Sequence, residues 1–413
     1  MRTFTESLAA WLADFSVNKA ILTVMMGFML LGAFDRMTGS RRGYGDKFEE
    51  GFHAIGPLAL SMVGVVAACP VLAKLLAPVI TPLYAAVGAD PAMFATTLLA
   101  CDMGGYSLAM ELAETPAVGS FAGLILGTMM GPTIVFTIPV ALGILQKEDR
   151  PYLGAGIMLG LITIPLGCIA GGLAMNGLTG YSLSLGQILR NLIPVIVISG
   201  LLSVGLWFRP EKMVAGFHVF GTGITVAITL LAAIAVFEQV TGILFPLFDV
   251  MAIPGANGLT PLDAGLLTCG QIGIVLIGAF PMVEWLTRTF GGRLQKAGAH
   301  LGLNDRACVG LLSSLAHVMA ALSLVKEMNP KGKLLNLAFA VSTASLLGAH
   351  LGFTAGVDQS MVSPMLIGKL VAGISALLLA HWMAPSLLRK IGAPTNAPAV
   401  VPARAPQDRT EPA

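Results

Sequence analysis

Charge is what this sequence has least of. Only 11% of its residues are Asp, Glu, Lys or Arg, less than half the share of about 25% usual in soluble globular proteins. With 55% hydrophobic residues and a mean hydropathy of +0.82, a chain of 413 residues cannot cover its apolar surface with polar groups. A water-soluble fold is excluded, and the chain reads as a polytopic membrane protein. The formal net charge of +2 gives no basic footprint for nucleic acid. Cysteine is also scarce. Cys69, Cys101, Cys168, Cys269 and Cys308 are odd in number, sit mostly in apolar runs and form no CxxC, which argues against a disulfide or zinc framework and for small buried hydrophobes. Enzyme signatures are missing: there is no GxSxG, no HExxH and no P-loop. The chain therefore has no nucleotide-driven engine, and neither a cofactor nor a metal is expected. Its first residues include Glu6 and Asp14 and lack a basic n-region, so no cleaved secretory signal is expected.

What is present is a succession of apolar runs. A helix needs about 20 apolar residues to cross the hydrocarbon core. Such runs begin at 15–34 and 52–73, and resume at 117–145, 153–175, 187–208, 214–237, 264–286, 307–328, 333–353 and 361–385. Between the second and third lie 75–91, broken by Pro78, Pro82 and Pro91 and expected to bend or re-enter, and 92–112. The sequence thus predicts an all-α protein with about ten or eleven transmembrane segments, some broken. Residues 238–263, with Pro246, Pro254 and Pro261, read as a long loop with one short interfacial helix. Residues 1–391 form one membrane domain. From 392 to 413 the tail is rich in Pro and Ala and is expected to be disordered. Basic clusters at 36–47, 288–296, 326–333 and 389–390 favour a cytoplasmic C-terminus.

Residues 100–112 hold the leading candidate site. Asp102 precedes Gly104 and Gly105 within apolar flanks. An ionisable group at membrane depth costs roughly 2.5–3.5 kcal/mol on insertion scales, and irregular backbone there survives only when buried or lining a cavity. Cys101, Gly104 and Gly105 belong to the same turn, and Tyr106, four residues on, would share a face with Asp102 if the segment were helical. A carboxylate beside an aromatic ring suits a small ammonium ion. The bland alternative is a helix end at the bilayer surface. His317 and His350 lie in apolar runs and could relay protons, although packing histidines are commoner. Asn191, before Pro194, could supply an amide to backbone freed by the proline. Asp358 and Lys369 are candidates for an ion pair.

Three short likenesses recur in the same order in both parts of the chain. Gly51-Phe52-His53-x-x-Gly56 is echoed at Gly216-Phe217-His218-x-x-Gly221. Leu99-Ala100-x-x-Met103 is echoed at Leu315-Ala316-x-x-Met319. Gly127-x-x-x-Gly131-x-Thr133 is echoed at Gly348-x-x-x-Gly352-x-Thr354, with Gly123 allowing a shifted register. The offset widens by about 50 residues between the first and second likeness, as an insertion holding the loop at 238–263 would cause. An internal duplication, with halves near 15–208 and 209–391, would put a binding site at the interface of the halves on discontinuous helices. Asp102 aligns with Val318, so the carboxylate occurs in one copy only. The glycines at 123, 127, 131, 348 and 352 are expected to serve close helix packing, within or between subunits; the oligomeric state is not legible.

The motifs FEEGFHAIGPLALSMVG (48–64), LLACDMGG (98–105), LILGTMMGPTIVFTIPVALGI (124–144), ITIPLGCIAGGL (162–173) and LGxHLGF (347–353) resemble those of the EutH family of ethanolamine permeases. The similarity runs from about residue 20 to about residue 385. It implies uptake of ethanolamine, mostly protonated at neutral pH, across the bacterial inner membrane for catabolism. The sequence differs from the family pattern at Ala349, where an aspartate is usual, and at His317, where an asparagine is usual. The resulting expectation is a secondary transporter embedded in the lipid bilayer that takes ethanolamine, with Asp102 holding its ammonium group. The alternatives are a transporter of another small amine or metabolite, and a membrane-embedded enzyme or sensor acting on lipid headgroups.

Overall fold

The computed structural model describes residues 3–255 and 258–392. Among them every regular element is helical, with no strand. Backbone inside a bilayer must satisfy its own hydrogen bonds, which helices do within one segment. Eight of these elements are long and apolar enough to cross a membrane: Val17–Met37, Tyr44–Ala85, Pro116–Ile144, Lys147–Leu178, Leu185–Phe208, Pro210–Thr241, Pro261–Arg293 and Gln359–Lys390. Three more apolar stretches, at 92–112, 305–324 and 330–357, are each two short helices joined at a break. The expectation of ten or eleven segments counted these three beside the eight.

Local chemistry explains several helix starts. Ser16 and Ser184 accept backbone N–H groups with their side-chain oxygens, from Lys19 at 3.2 Å and Gln187 at 3.2 Å, as N-caps do. Pro116, Pro210 and Pro330 open helices at positions where a missing N–H costs nothing. Of the stretch 75–91, expected to bend or re-enter, residues 75–85 continue the preceding helix and do not re-enter. Ile55–Ala85 is one helix that runs through Pro70, Pro78 and Pro82. Each proline removes one ladder bond and its neighbours hold the rest, a loss that membrane helices tolerate.

The Pro116–Ile144 segment is the most enclosed of the eight. Close by, the helices Arg150–Leu178 and Val362–Lys390 pack through small residues: a Cβ on Gly167 would meet the Gly368 carbonyl and Ala372, and one on Gly171 would meet Ile125 and the Pro364 carbonyl. Glycine permits this approach of backbone to backbone. The outer helices turn large apolar side chains outward, among them Phe34, Leu201, Leu230 and Leu378, each more than half exposed. So much outward apolar surface fits lipid rather than water. All five cysteines are buried. The loop at 242–260 holds one short turn, Asp249–Ala252. The Pro- and Ala-rich tail beyond Gly392 lies outside the described residues.

Candidate functional site

Four interruptions of helix geometry meet in the interior. The first separates Ala92–Leu98 from Gly105–Leu112. Leu99 and Ala100 are extended, Cys101–Met103 make a single tight turn, and Gly104 takes φ 81°. Both glycines are required here. Gly104 adopts the left-handed conformation hard against Val65, and a Cβ on Gly105 would strike the carbonyl oxygens of Leu99 and Ala100. The Ala100 carbonyl closes the turn by accepting from Met103 and Gly105, both at 3.0 Å.

A second interruption lies inside Pro116–Ile144, where the helix widens into π-type turns at Phe121–Ile125 and Thr133–Thr137 and tightens at Leu126–Thr128. A third falls at His317, extended between Asp305–Ala316 and Val318–Leu324. The fourth runs from Ala344 to Gly348, between Pro330–Thr343 and Ala349–Val357, with Ser345 at φ 55°. The third and fourth pair along their backbones: Ser345 N donates to Ser314 O at 2.9 Å and Leu347 N to Leu315 O at 2.8 Å.

Broken helices leave carbonyl oxygens without an intrahelical donor. Lys369, on Val362–Lys390 and 0% exposed, collects them. Its Nζ donates to Thr128 O at 2.5 Å, to Ala344 O at 3.1 Å and to His350 Nδ1 at 2.8 Å. An ammonium has three donors and no acceptor, so all three are used. The same count makes Nδ1 of His350 the acceptor and puts the ring proton on Nε2. Asp102 lies near enough for its charge to act on Lys369. Yet no Lys, Arg or His among the described residues forms an ion pair with it. Asp102 itself is half-buried.

The other expected site residues fall into distinct places. Cys101 is fully buried beside Asp102, and Cys101, Asp102 and His350 each bring a ligand-capable atom within 4.8 Å of the others. A metal ion does not fit this group, because the Lys369 ammonium already stands against the His350 nitrogen and would repel it. Tyr106 does not share a helical face with Asp102, since Gly104 interrupts the helix between them. Its ring meets Phe353 edge-on at 5.8 Å and lies on Gly123. His317 caps Val318–Leu324, accepting from Met319 N at 3.2 Å through Nδ1, and is close enough to His350 for their charges to interact. Asn191 lies with Pro194 on Leu185–Phe208, away from Asp102 in the chain, and its side chain reaches another segment. Its Oδ1 accepts from Asp90 N at 2.7 Å, and Asp90 in turn accepts from Ala92 N at 2.8 Å and Glu114 N at 3.0 Å, fixing both ends of the first broken pair.

Asp358 and Lys369 do not pair. Asp358 accepts from Tyr181 Oη at 2.9 Å and Ser360 Oγ at 2.7 Å, while eleven residues of helix would put the two about 16 Å apart. Of the glycines, Gly127 packs on Thr96, Gly352 on Leu276, Gly131 on the Leu99 carbonyl and Gly348 on the Ala316 carbonyl. Thr133 Oγ1, within 3.0 Å of Val341 O, ties the enclosed segment to the helix before the fourth interruption. An apolar cleft lined by Val65, Phe94, Leu98, Leu108 and Phe220 reaches the first interruption from outside, but it offers no group to an ammonium ion.

Lys369 is the residue that the reading of the sequence undervalued. A lone lysine in the middle of an apolar run was the available signal.

Comparison with known proteins bears on what such a centre serves. No solved structure matches the chain. A protein of Listeria monocytogenes serotype 1/2a (strain 10403S) named "Probable ethanolamine permease EutH" is 48% identical over 91% of this chain and 96% of its own length. The protein of the same name in Escherichia coli (strain K12) is 44% identical over 89% of this chain and 96% of its own. "Uncharacterized protein YxeR" of Bacillus subtilis (strain 168) is 47% identical over 90% and 96%. Residues 17–383 match the family described as "Ethanolamine utilisation protein, EutH", and the chain belongs to that family.

Proposed function

We propose that this chain takes up ethanolamine across the bacterial inner membrane as the protonated amine, and that Asp102 receives its ammonium group. The observation that carries this reading is the balance of partners in the interior. Lys369 is saturated by Thr128 O, Ala344 O and His350 Nδ1, which leaves the neighbouring carboxylate with no cation in contact. A carboxylate at membrane depth without a counter-cation is costly, and a small cation entering from outside removes that cost. Cys101, Gly104 and Gly105 shape the turn that presents Asp102, and Tyr106 packs on Phe353 and Gly123. The names borne by relatives at 44–48% identity over nearly their whole length support ethanolamine over other small amines. The membrane-spanning helices and the absence of nucleotide motifs support secondary transport, with the C-terminus in the cytoplasm.

The test is labelled-ethanolamine uptake by purified protein in liposomes. Asp102→Asn is expected to lower uptake at low external substrate to the level of empty liposomes while the protein inserts and melts like the wild type. Wild-type uptake by that variant would remove Asp102 from the site.

A further inference from the structure

We propose that the proton on Lys369 and the substrate cation exclude one another, so that each cation bound at Asp102 releases one proton from Lys369. The inference rests on the ethanolamine reading and adds what the site does with its own charge. Empty, the interior holds one carboxylate and one ammonium, Asp102 and Lys369, close enough for each charge to act on the other. A second ammonium at Asp102 would leave a net positive charge beside the fully buried Lys369, in an interior where like charges repel more strongly than in water. The substrate must stay charged to be recognised by a carboxylate. Lysine can give its proton up, and buried lysines do so readily.

The groups facing Lys369 leave one route for that proton. Cys101 and Asp102 face it from the first interruption and His350 from Ala349–Val357. The helix Arg150–Leu178 presents Gly167 and Gly171 to the lysine's helix, and Pro330–Thr343 presents Phe339 and Thr343. Only His350 both touches Nζ and can pass a proton. It takes the proton at Nδ1 and yields the one on Nε2, ending as the other tautomer, so no group gains or loses a proton except Lys369. The next titratable group outward is His317, whose charge interacts with His350 and with Glu50. Glu50 is exposed and paired with Lys47 at 2.7 Å, and there the path meets water. Neutral Lys369 keeps two donors for its carbonyl oxygens and turns its lone pair to the imidazole N–H.

Ethanolamine binding to the purified protein in detergent, by calorimetry in buffers of different ionisation heat, tests this. A primary ammonium stays charged across the range examined, so any pH dependence belongs to the protein. The expected result is release of about one proton per cation bound and an affinity that rises about tenfold per pH unit near neutrality, as linkage requires. Binding with no proton released and an affinity flat in pH overturns the inference while leaving ethanolamine as substrate. No binding at any pH overturns the substrate reading and this inference with it. Lys369→Met and Lys369→Gln are expected to bind without proton release at an affinity independent of pH. Undiminished release from either variant overturns the assignment to Lys369. Should neither fold, the wild-type proton count decides.

Discussion

A lysine with no exposed surface survives among apolar neighbours because each of its donors finds an acceptor. The acceptors of Lys369 are two backbone carbonyls and an imidazole, so nothing in the pattern of side chains announces them. This is why the sequence pointed to Asp102, whose glycine neighbours are visible, and offered Lys369 an aspartate, Asp358, as its partner where the structure gives it carbonyls and an imidazole. Tyr106 tells the opposite story. Its place four residues after Asp102 suggested a shared face, but the left-handed Gly104 turns the chain between them. What remains is packing against Phe353 and Gly123. Tyr106→Phe is accordingly expected to melt near the wild type and keep its apparent KM, whereas Tyr106→Ala, which empties an aromatic's volume from a packed interior, should lose about 3–5 kcal/mol. Thermal unfolding in detergent beside uptake kinetics checks both. An equal rise in KM for the two variants would bring the hydroxyl back into the site.

At the scale of elements, the interruptions differ in how far they could be read. The one at 99–104 carries paired glycines, and its place was legible. The one at His317 contains neither glycine nor proline. Beside it the carbonyls of Ser314 and Leu315, at the end of Asp305–Ala316, accept from Ser345 N and Leu347 N, a contact between segments that sequence periodicity does not register. Prolines misled in the other direction at 75–91, where Pro78 and Pro82 sit inside one helix. Glycines read as packing residues prove to lie at the interruptions themselves. Gly131→Ala would drive a methyl group into the Leu99 carbonyl, one of backbone rather than of a movable side chain. It is expected to abolish folded protein or to lower its melting temperature sharply together with uptake. Gly200→Ala, on an open helix face with nothing within 4 Å, should be neutral or stabilise by up to about 1 kcal/mol. Comparing the two by size-exclusion yield and melting separates loss of the interruption from a general intolerance of alanine.

At the scale of the whole molecule, the chain's two parts are joined by ionic as well as apolar contacts. Asp149, just before the Arg150–Leu178 helix, has a side chain only 2% exposed and is paired with Lys333 on Pro330–Thr343. Removing one partner of a buried pair strands the other charge at a cost of about 3–5 kcal/mol. Lys333→Met should therefore destabilise the protein more than the double replacement Lys333→Met with Asp149→Leu, a difference that a double-mutant cycle of melting temperatures measures. The membrane class followed from composition, and the all-helical fold from apolar runs long enough to cross the bilayer as helix. The convergence of distant segments on one lysine did not, because it depends on which carbonyl oxygens are left without donors after the helices pack. That convergence has a further consequence. Carbonyl oxygens arranged about a point can take the place of an ion's hydration shell, and here the side chain fills that point. In Lys369→Ala the vacancy becomes a seat for a free monovalent ion, so sodium or potassium salts would raise the melting temperature of that variant in a saturable way and leave the wild type unmoved.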